Sequence, residues 1–263
     1  MREDNVRAAN VLYLQGRRDE AAELYAALAA DGDREAAMNY ATCLLFGEGV
    51  ARDEKMAKRY FGYAVGGLGG DASYNLAVMY LHGVGVARDY KKTYSYMYDA
   101  AREGCIEAQL YLGIAHTLGS LFEPDIIAVT RIPYHAPIYR NDGNLLCGEV
   151  ADAERDEELR RAAVRLDPRS AFEWFRIAAR HDPTYAEELT QKGKFLYARC
   201  FLDGLGTEFN RRRAEELMLI AARDGSQEAI AYIETEAPYL LEALGNDTLI
   251  GTIRGREGIL PPA

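Results

Sequence analysis

Gly47-Glu48-Gly49-Val50-Ala51-Arg52-Asp53 recurs as Gly83-Val84-Gly85-Val86-Ala87-Arg88-Asp89. Six of the seven positions are identical at a separation of 36 residues. Self-similarity at a fixed period of this size is the mark of a repeat architecture. The flanks keep the same register: Ala36, Ala72 and Ala108 align, as do Ala64 with Ala100 and Val65 with Ala101. Each unit therefore reads as a helix A, a Gly-x-Gly-Val turn, and a helix B that ends in a small pair such as Ala100-Ala101.

Physical chemistry gives each slot a reason. Gly47 and Gly83 stand where helix A must close, and glycine takes the left-handed conformation that closes a helix without a Cβ penalty. Asp53 and Asp89 stand where helix B begins. A carboxylate there accepts bonds from the free N–H groups of the first turn and complements the helix dipole. The small pair lets neighbouring helices approach, and Tyr60, Tyr80 and Tyr96 fill larger gaps while keeping a hydroxyl near water.

The pattern resumes after an interruption. Ile106 to Leu118 reads as the third helix A, closed by Gly119, and its helix B is Ser170 to Ala179. Asp167-Pro168 then falls on the Asp89 slot as an N-cap and first-turn pair. The Gly-to-Asp distance is 6 residues from Gly83 to Asp89 and 48 from Gly119 to Asp167, an insertion of 42. A fourth unit places Gly204, Gly206, Asn210 and Ala221-Ala222 each 121 residues after its counterpart in the second. Seven extra residues before Gly193 amount to about two helical turns, so this helix A is expected to lengthen without turning its buried face. At the N-terminus, Asn5–Leu14 and Asp19–Ala30 read as an irregular helix pair, as terminal repeats often are.

The chain has 263 residues, 49% of them apolar and 27% charged, which fits a folded globular protein rather than a disordered one. Against 8 Pro, its 24 Gly follow in large part from the repeated turn slots and its 18 Tyr only in part. A net charge of −10 argues against general nucleic-acid binding and against attraction to an anionic membrane. No apolar run follows the polar start Met1-Arg2-Glu3-Asp4-Asn5, so neither a signal peptide nor a membrane span is expected and the location reads as cytoplasmic. Cys43, Cys105, Cys147 and Cys200 form no Cys-x-x-Cys and read as reduced thiols.

Unit two resembles the Sel-one-like repeat family, a relative of the tetratricopeptide repeat, through Ala72, Leu76, Tyr80, Gly83, Gly85, Val86, Asp89, Ala100, Ala101 and Gly104. Unit three adds Leu112-Gly113 and, in its helix B, Ala171, Trp174, Ala178 and Ala179. Ala77, Leu44 and His116 depart from the usual residues, and unit three lacks the second loop glycine. The resemblance implies an all-α fold, an αα superhelix: a solenoid of about four to five antiparallel helix pairs over residues 1–240, carrying the insertion at about 120–166, with a C-terminal tail at 241–263. It also implies a non-catalytic adaptor that holds other proteins together, with no cofactor.

If the tetratricopeptide register transfers, helix A lines a concave groove. Met38, Thr42 and Phe46 then face it from unit one, Tyr74, Val78 and His82 from unit two, Leu110, Ile114 and Leu118 from unit three, and Phe195, Arg199 and Asp203 from unit four. This apolar, aromatic strip suits an extended peptide or a helix. Packing against neighbouring helices or the insertion is the competing account of the same residues.

The insertion is the most individual stretch. It carries an aromatic cluster of Tyr134, His135 and Tyr139, a turn at Asn141-Asp142-Gly143-Asn144, and apolar runs at 126–130 and 145–147 that could pair as a hairpin. Residues 151–166 are charged and read as helical. The segment is expected to fold over one end of the groove and add contacts, so that deleting 123–165 changes binding and spares helicity. Phosphate-loop, His-Glu-x-x-His and Gly-x-Ser-x-Gly signatures are absent, and no metal-ligating set stands out. His116 reads as a packing residue in a tyrosine slot. The shared repeat position of Cys43 and Cys200 favours packing over metal binding. An enzyme or small-ligand-binding protein that uses the 120–166 insertion, with His135 and Cys147 as its only nucleophilic pair, is the alternative reading. Unblocked terminal repeats also leave room for self-association.

Overall fold

The computed structural model describes residues 2–66, 70–121, 153–181 and 183–246. These residues are all-α, with no strand among them. In chain order the helices are α1 (Arg2–Leu14), α2 (Arg18–Ala30), α3 (Arg34–Phe46), α4 (Glu54–Ala64), α5 (Asp71–His82) and α6 (Tyr90–Arg102). There follow α7 (Ile106–Leu118), α8 (Ala153–Ala163), α9 (Pro168–Ala178), α10 (Pro183–Asp203), α11 (Arg211–Arg223) and α12 (Gln227–Glu236). A 3-10 turn (Pro238–Leu240) leads into α13 (Leu241–Leu244). The hairpin expected at 126–130 and 145–147, and most of the expected tail, lie outside the described residues.

Two compact units emerge. The first comprises Met1–Cys105 with Leu121–Ala163, the second Ile106–Ser120 with Val164–Ala263. In the first, α1 pairs with α2, α3 with α4 and α5 with α6, and each pair packs on the next through α2 and α3, then α4 and α5. In the second, α7 pairs with α9 and α10 with α11, and these pairs stack through α9 and α10. Successive helix hairpins stacked in this way are the arrangement of a helical-repeat solenoid.

The B helices α4, α6, α9 and α11 start alike, whereas α2 begins after Arg17 with no side-chain cap. Asp53, Asp89, Asp167 and Asn210 have φ between −150° and −146° and ψ between 88° and 95°. Their side chains accept from the backbone N–H of Met56, Lys92, Ser170 and Arg213 respectively. Each also donates its own backbone N–H to a carbonyl near the end of its partner helix: Leu44, Tyr80, His116 and Phe201. The third of these bonds, Asp167 to His116 at 3.0 Å, closes the hairpin of α7 and α9 across the insertion in the same register as the others. The first member of each small pair, Ala64, Ala100, Ala178 or Ala221, is fully buried.

The turns explain why two glycines repeat. Gly47, Gly83, Gly119 and Gly204 end their helices with φ between 66° and 73°. Gly49, Gly85 and Gly206 serve a second purpose, which is close approach. A Cβ on them would lie 2.0 Å from the Arg18 carbonyl oxygen, 2.7 Å from that of Glu54 and 2.1 Å from that of Pro168. Each contacted residue opens the preceding B helix, so the glycine seats one repeat on the last. The third turn has Leu121 at this position, where the chain leaves for the insertion, and the Leu121 N–H donates to the Arg160 carbonyl of α8.

Candidate functional site

The A helices differ in how much of the expected binding strip they open to solvent. On α3, Met38 and Thr42 are buried and Phe46 is half-buried, with the Thr42 hydroxyl turned back onto the Met38 carbonyl at 3.1 Å. On α5, Tyr74, Val78 and His82 are buried, as is every residue from Asp71 to His82. A helix enclosed on all faces is an interior element. On α7, Leu110 is buried, Ile114 is half-buried and Leu118 is 58% exposed. On α10, Phe195 is half-buried and Arg199 is exposed, paired with Asp203 at 3.1 Å. The open positions thus concentrate on α7 and α10 of the second unit. There Ile114 and Phe195 pack at the margin of one core that includes Leu110, Phe175, Tyr197 and Met218. Tyr134, His135 and Tyr139 lie outside the described residues.

His116 is buried in the slot that Tyr80 fills in the preceding repeat, and its Nδ1 lies 2.9 Å from the Arg165 carbonyl oxygen. That contact ties the ring to the chain as it enters α9. Cys43 and Cys200 occupy matching interior positions, and burial pushes both thiols up to about 12. A thiol held that high is protonated at neutral pH and is no nucleophile. Among the described residues no group of three or more His, Cys, Asp or Glu is placed to hold a metal ion. Also among them, no helix is long and apolar enough to cross a membrane.

One recurrent polar arrangement escaped sequence reasoning. Among the described residues, Tyr13, Tyr90 and Tyr239 each donate their hydroxyl to a carboxylate that an arginine also binds, and the same arginine lies over the tyrosine ring. Tyr13 donates to Glu48, and Arg18 sits 3.3 Å from Glu48 and 5.5 Å from the ring centre. Tyr90 donates to Asp156, and Arg160 sits 2.8 Å from Asp156 and 5.5 Å from the ring centre. Tyr239 donates to Glu215, and Arg211 sits 2.8 Å from Glu215 and 5.9 Å from the ring centre. Each cluster fastens one element to another: α1 to the turn after α3, α6 to α8, and α11 to the 3-10 turn. Burial, then the Glu48 or Asp156 carboxylate, raises the Tyr13 and Tyr90 hydroxyls above the usual phenol range, which keeps both protonated as donors. The partners in a cluster stand up to 66 residues apart in sequence, so no local pattern announces them.

The repeat assignment rests on its slots and on the match to a known family. The Sel1 repeat profile matches residues 34–65, 70–105, 160–183 and 192–226. The chain carries four Sel1 repeats. The third match begins in α8 and runs through α9, in keeping with a repeat interrupted by the insertion. Among solved structures, a Sel1 repeat protein from Oxalobacter formigenes superposes with a TM-score of 0.59 at 18% identity. The alignment covers 82% of this chain and 49% of that one, so this chain spans about half of the other's length. A protective antigen of uropathogenic Escherichia coli with an SLR fold aligns at 18% identity over 97% of this chain and 62% of its own, with a TM-score of 0.27. No curated protein matches the sequence. The likeness to the Oxalobacter protein is one of fold, and it agrees with the Sel1 hairpins seen here.

Proposed function

We propose that this chain is a non-catalytic scaffold that binds a protein or peptide segment through the A-helix face of its second unit. Sel1 repeat proteins generally mediate contacts between proteins, which supports the class of function. The observation that carries the location is the opening of α7 and α10. Ile114 and Phe195 border one core, Leu118 is exposed, and Arg199 stands free of the interior at the end of the strip. An apolar anchor row with a charged edge fits an amphipathic or extended segment laid across two helices. Aromatic and arginine side chains in such positions often carry most of an interface's energy.

The double variant Phe195→Ser with Arg199→Glu tests this. Both residues lie outside the fully buried core, so helicity measured by circular dichroism is expected to stay at the parent level. Proteins that co-purify with the parent chain are expected to be lost or sharply reduced. An unchanged set of co-purifying proteins, with the fold intact, contradicts the assignment.

A further inference from the structure

The first unit carries a basic surface that the described residues do not neutralise. Lys55, Arg59, Lys91 and Arg102 are exposed on α4 and α6, Lys92 is exposed beside them, and Lys58 is half-buried. The two helices share a period, so Lys55 and Lys91 occupy the same slot, two residues after the caps Asp53 and Asp89. The Lys58 and Lys92 ammonium groups lie 5.5 and 5.0 Å from the centre of one ring, that of Tyr80, and therefore at most 10.5 Å apart. That is comparable to the screening length of about 8 Å at physiological salt, so these cations feel one another.

The acids among the described residues do not answer them. Lys92 pairs with Asp89 at 3.3 Å, but among the described residues no carboxylate lies within ion-pair distance of Lys55, Lys58, Arg59 or Lys91. Glu54 is taken by Arg52, and Asp99 stands two turns along α6 from Lys91. This occurs in a protein of net charge −10, where carboxylates are plentiful elsewhere. Lys55 and Lys91 also sit in the first turn of their helices, where a cation opposes the helix dipole, as Arg169 and Arg212 do in α9 and α11.

The same end of α6 already receives a carboxylate. Asp156 of α8 accepts from the Tyr90 hydroxyl and lies 4.0 Å from Arg88. The basic face continues outward from this contact, with Tyr63 and Tyr98 49% and 40% exposed on α4 and α6. From the cation cluster, its missing counter-charges and this internal precedent, we infer that the outer face of α4 and α6 docks an Asp/Glu-rich segment of a partner protein. A short acidic segment meets the local cluster within a screening length. A long phosphate polymer extends past it and meets the repulsion of the whole acidic chain. This surface is carried by the first unit and the A-helix strip by the second.

The probe is a fluorescein-labelled decaglutamate peptide titrated with the full chain and read by fluorescence anisotropy. The double variant Lys55→Glu with Lys91→Glu is expected to weaken binding about tenfold or more, while Arg169→Glu with Arg212→Glu, the same charge change at the same slot of α9 and α11, changes it by less than about twofold. Glutamate is favoured in a first turn, so the first variant is expected to fold, as circular dichroism checks. Equal weakening by both double variants means that net charge alone is read, and overturns the proposal. So does a failure of the peptide to bind the parent chain at low salt. An oligo-dT strand that binds the parent chain more tightly than decaglutamate and is lost in Lys55→Glu with Lys91→Glu also overturns it, in favour of nucleic acid.

Discussion

Asp89 does two things at once: its carboxylate accepts from the Lys92 N–H at 3.0 Å and its own N–H donates to the Tyr80 carbonyl at 3.1 Å. Replacing it by alanine removes the first and keeps the second. The expected loss is about 1 kcal/mol by urea denaturation, and Asp89→Asn should restore most of it because asparagine also caps. The backbone bond from Lys92, helped by the Lys92 ammonium, holds this carboxyl below the usual range. Its contribution is therefore complete above the unfolded value of about 3.9 and is lost as pH falls through the folded value. Asp89→Asn should flatten that part of the acid limb. The second turn glycine makes a sharper contrast. Gly85→Ala meets the Glu54 backbone at φ +64°, whereas Gly104→Ala, at φ +102°, has nothing within 4 Å of its Cβ. The first is expected to cost about 2–4 kcal/mol and the second about 1 kcal/mol in the same denaturation assay. These residues were legible in the sequence, because a glycine or a cap has a local reason that recurs with the period. What the period does not tell is that the second glycine touches the preceding repeat, since the same spacing would serve a turn alone.

At the scale of the element, the helical reading of 151–166 is met by α8, and the lengthening of the fourth helix A is met by α10, which runs 21 residues with non-helical torsions at Ala186. Within the added length Gln191 donates to the Asp224 carbonyl at 2.7 Å, and Lys194, on the Ser73 slot, pairs with the Asp224 carboxylate at 2.6 Å. Where α8 docks could not be read, because its contacts with α6 depend on side chains far apart in sequence. If the Tyr90–Asp156–Arg160 cluster holds α8 in place, Tyr90→Phe should lower the amide-exchange protection of α8 by about 1 kcal/mol and leave α5 and the rest of α6 unchanged. The insertion gives a stricter test of the register. Deleting residues 120–161 leaves Gly119 six residues before Asp167, as Gly83 is before Asp89, with the buried Val164 on the slot of the half-buried Val50 and Val86. The shortened chain is expected to keep helices α7 and α9 and to unfold cooperatively by circular dichroism. Loss of helicity beyond that of α8 would show that the insertion is needed to form the hairpin.

For the whole molecule, the sequence specified stacked Sel1 hairpins but not which parts of them are open. Tyr74, Val78 and His82 match Phe195, Arg199 and Asp203 slot for slot, yet the first three are enclosed while Arg199 and Asp203 are exposed. A repeat places residues on faces; which face meets water depends on what packs outside each helix, and that is not periodic. The proposed binding strip therefore narrows from twelve groove positions spread over four repeats to the part carried by α7 and α10. The central claim is that this strip contacts a protein. Its most direct measurement is site-specific photocrosslinking in cells, with benzoylphenylalanine placed at position 195 on α10 or, as a control, at the exposed position 169 on α9. The account predicts discrete protein adducts from position 195 that disappear when Arg199→Glu is added, and none of the same adducts from position 169. Identical adducts from both positions, or none from position 195, would contradict it.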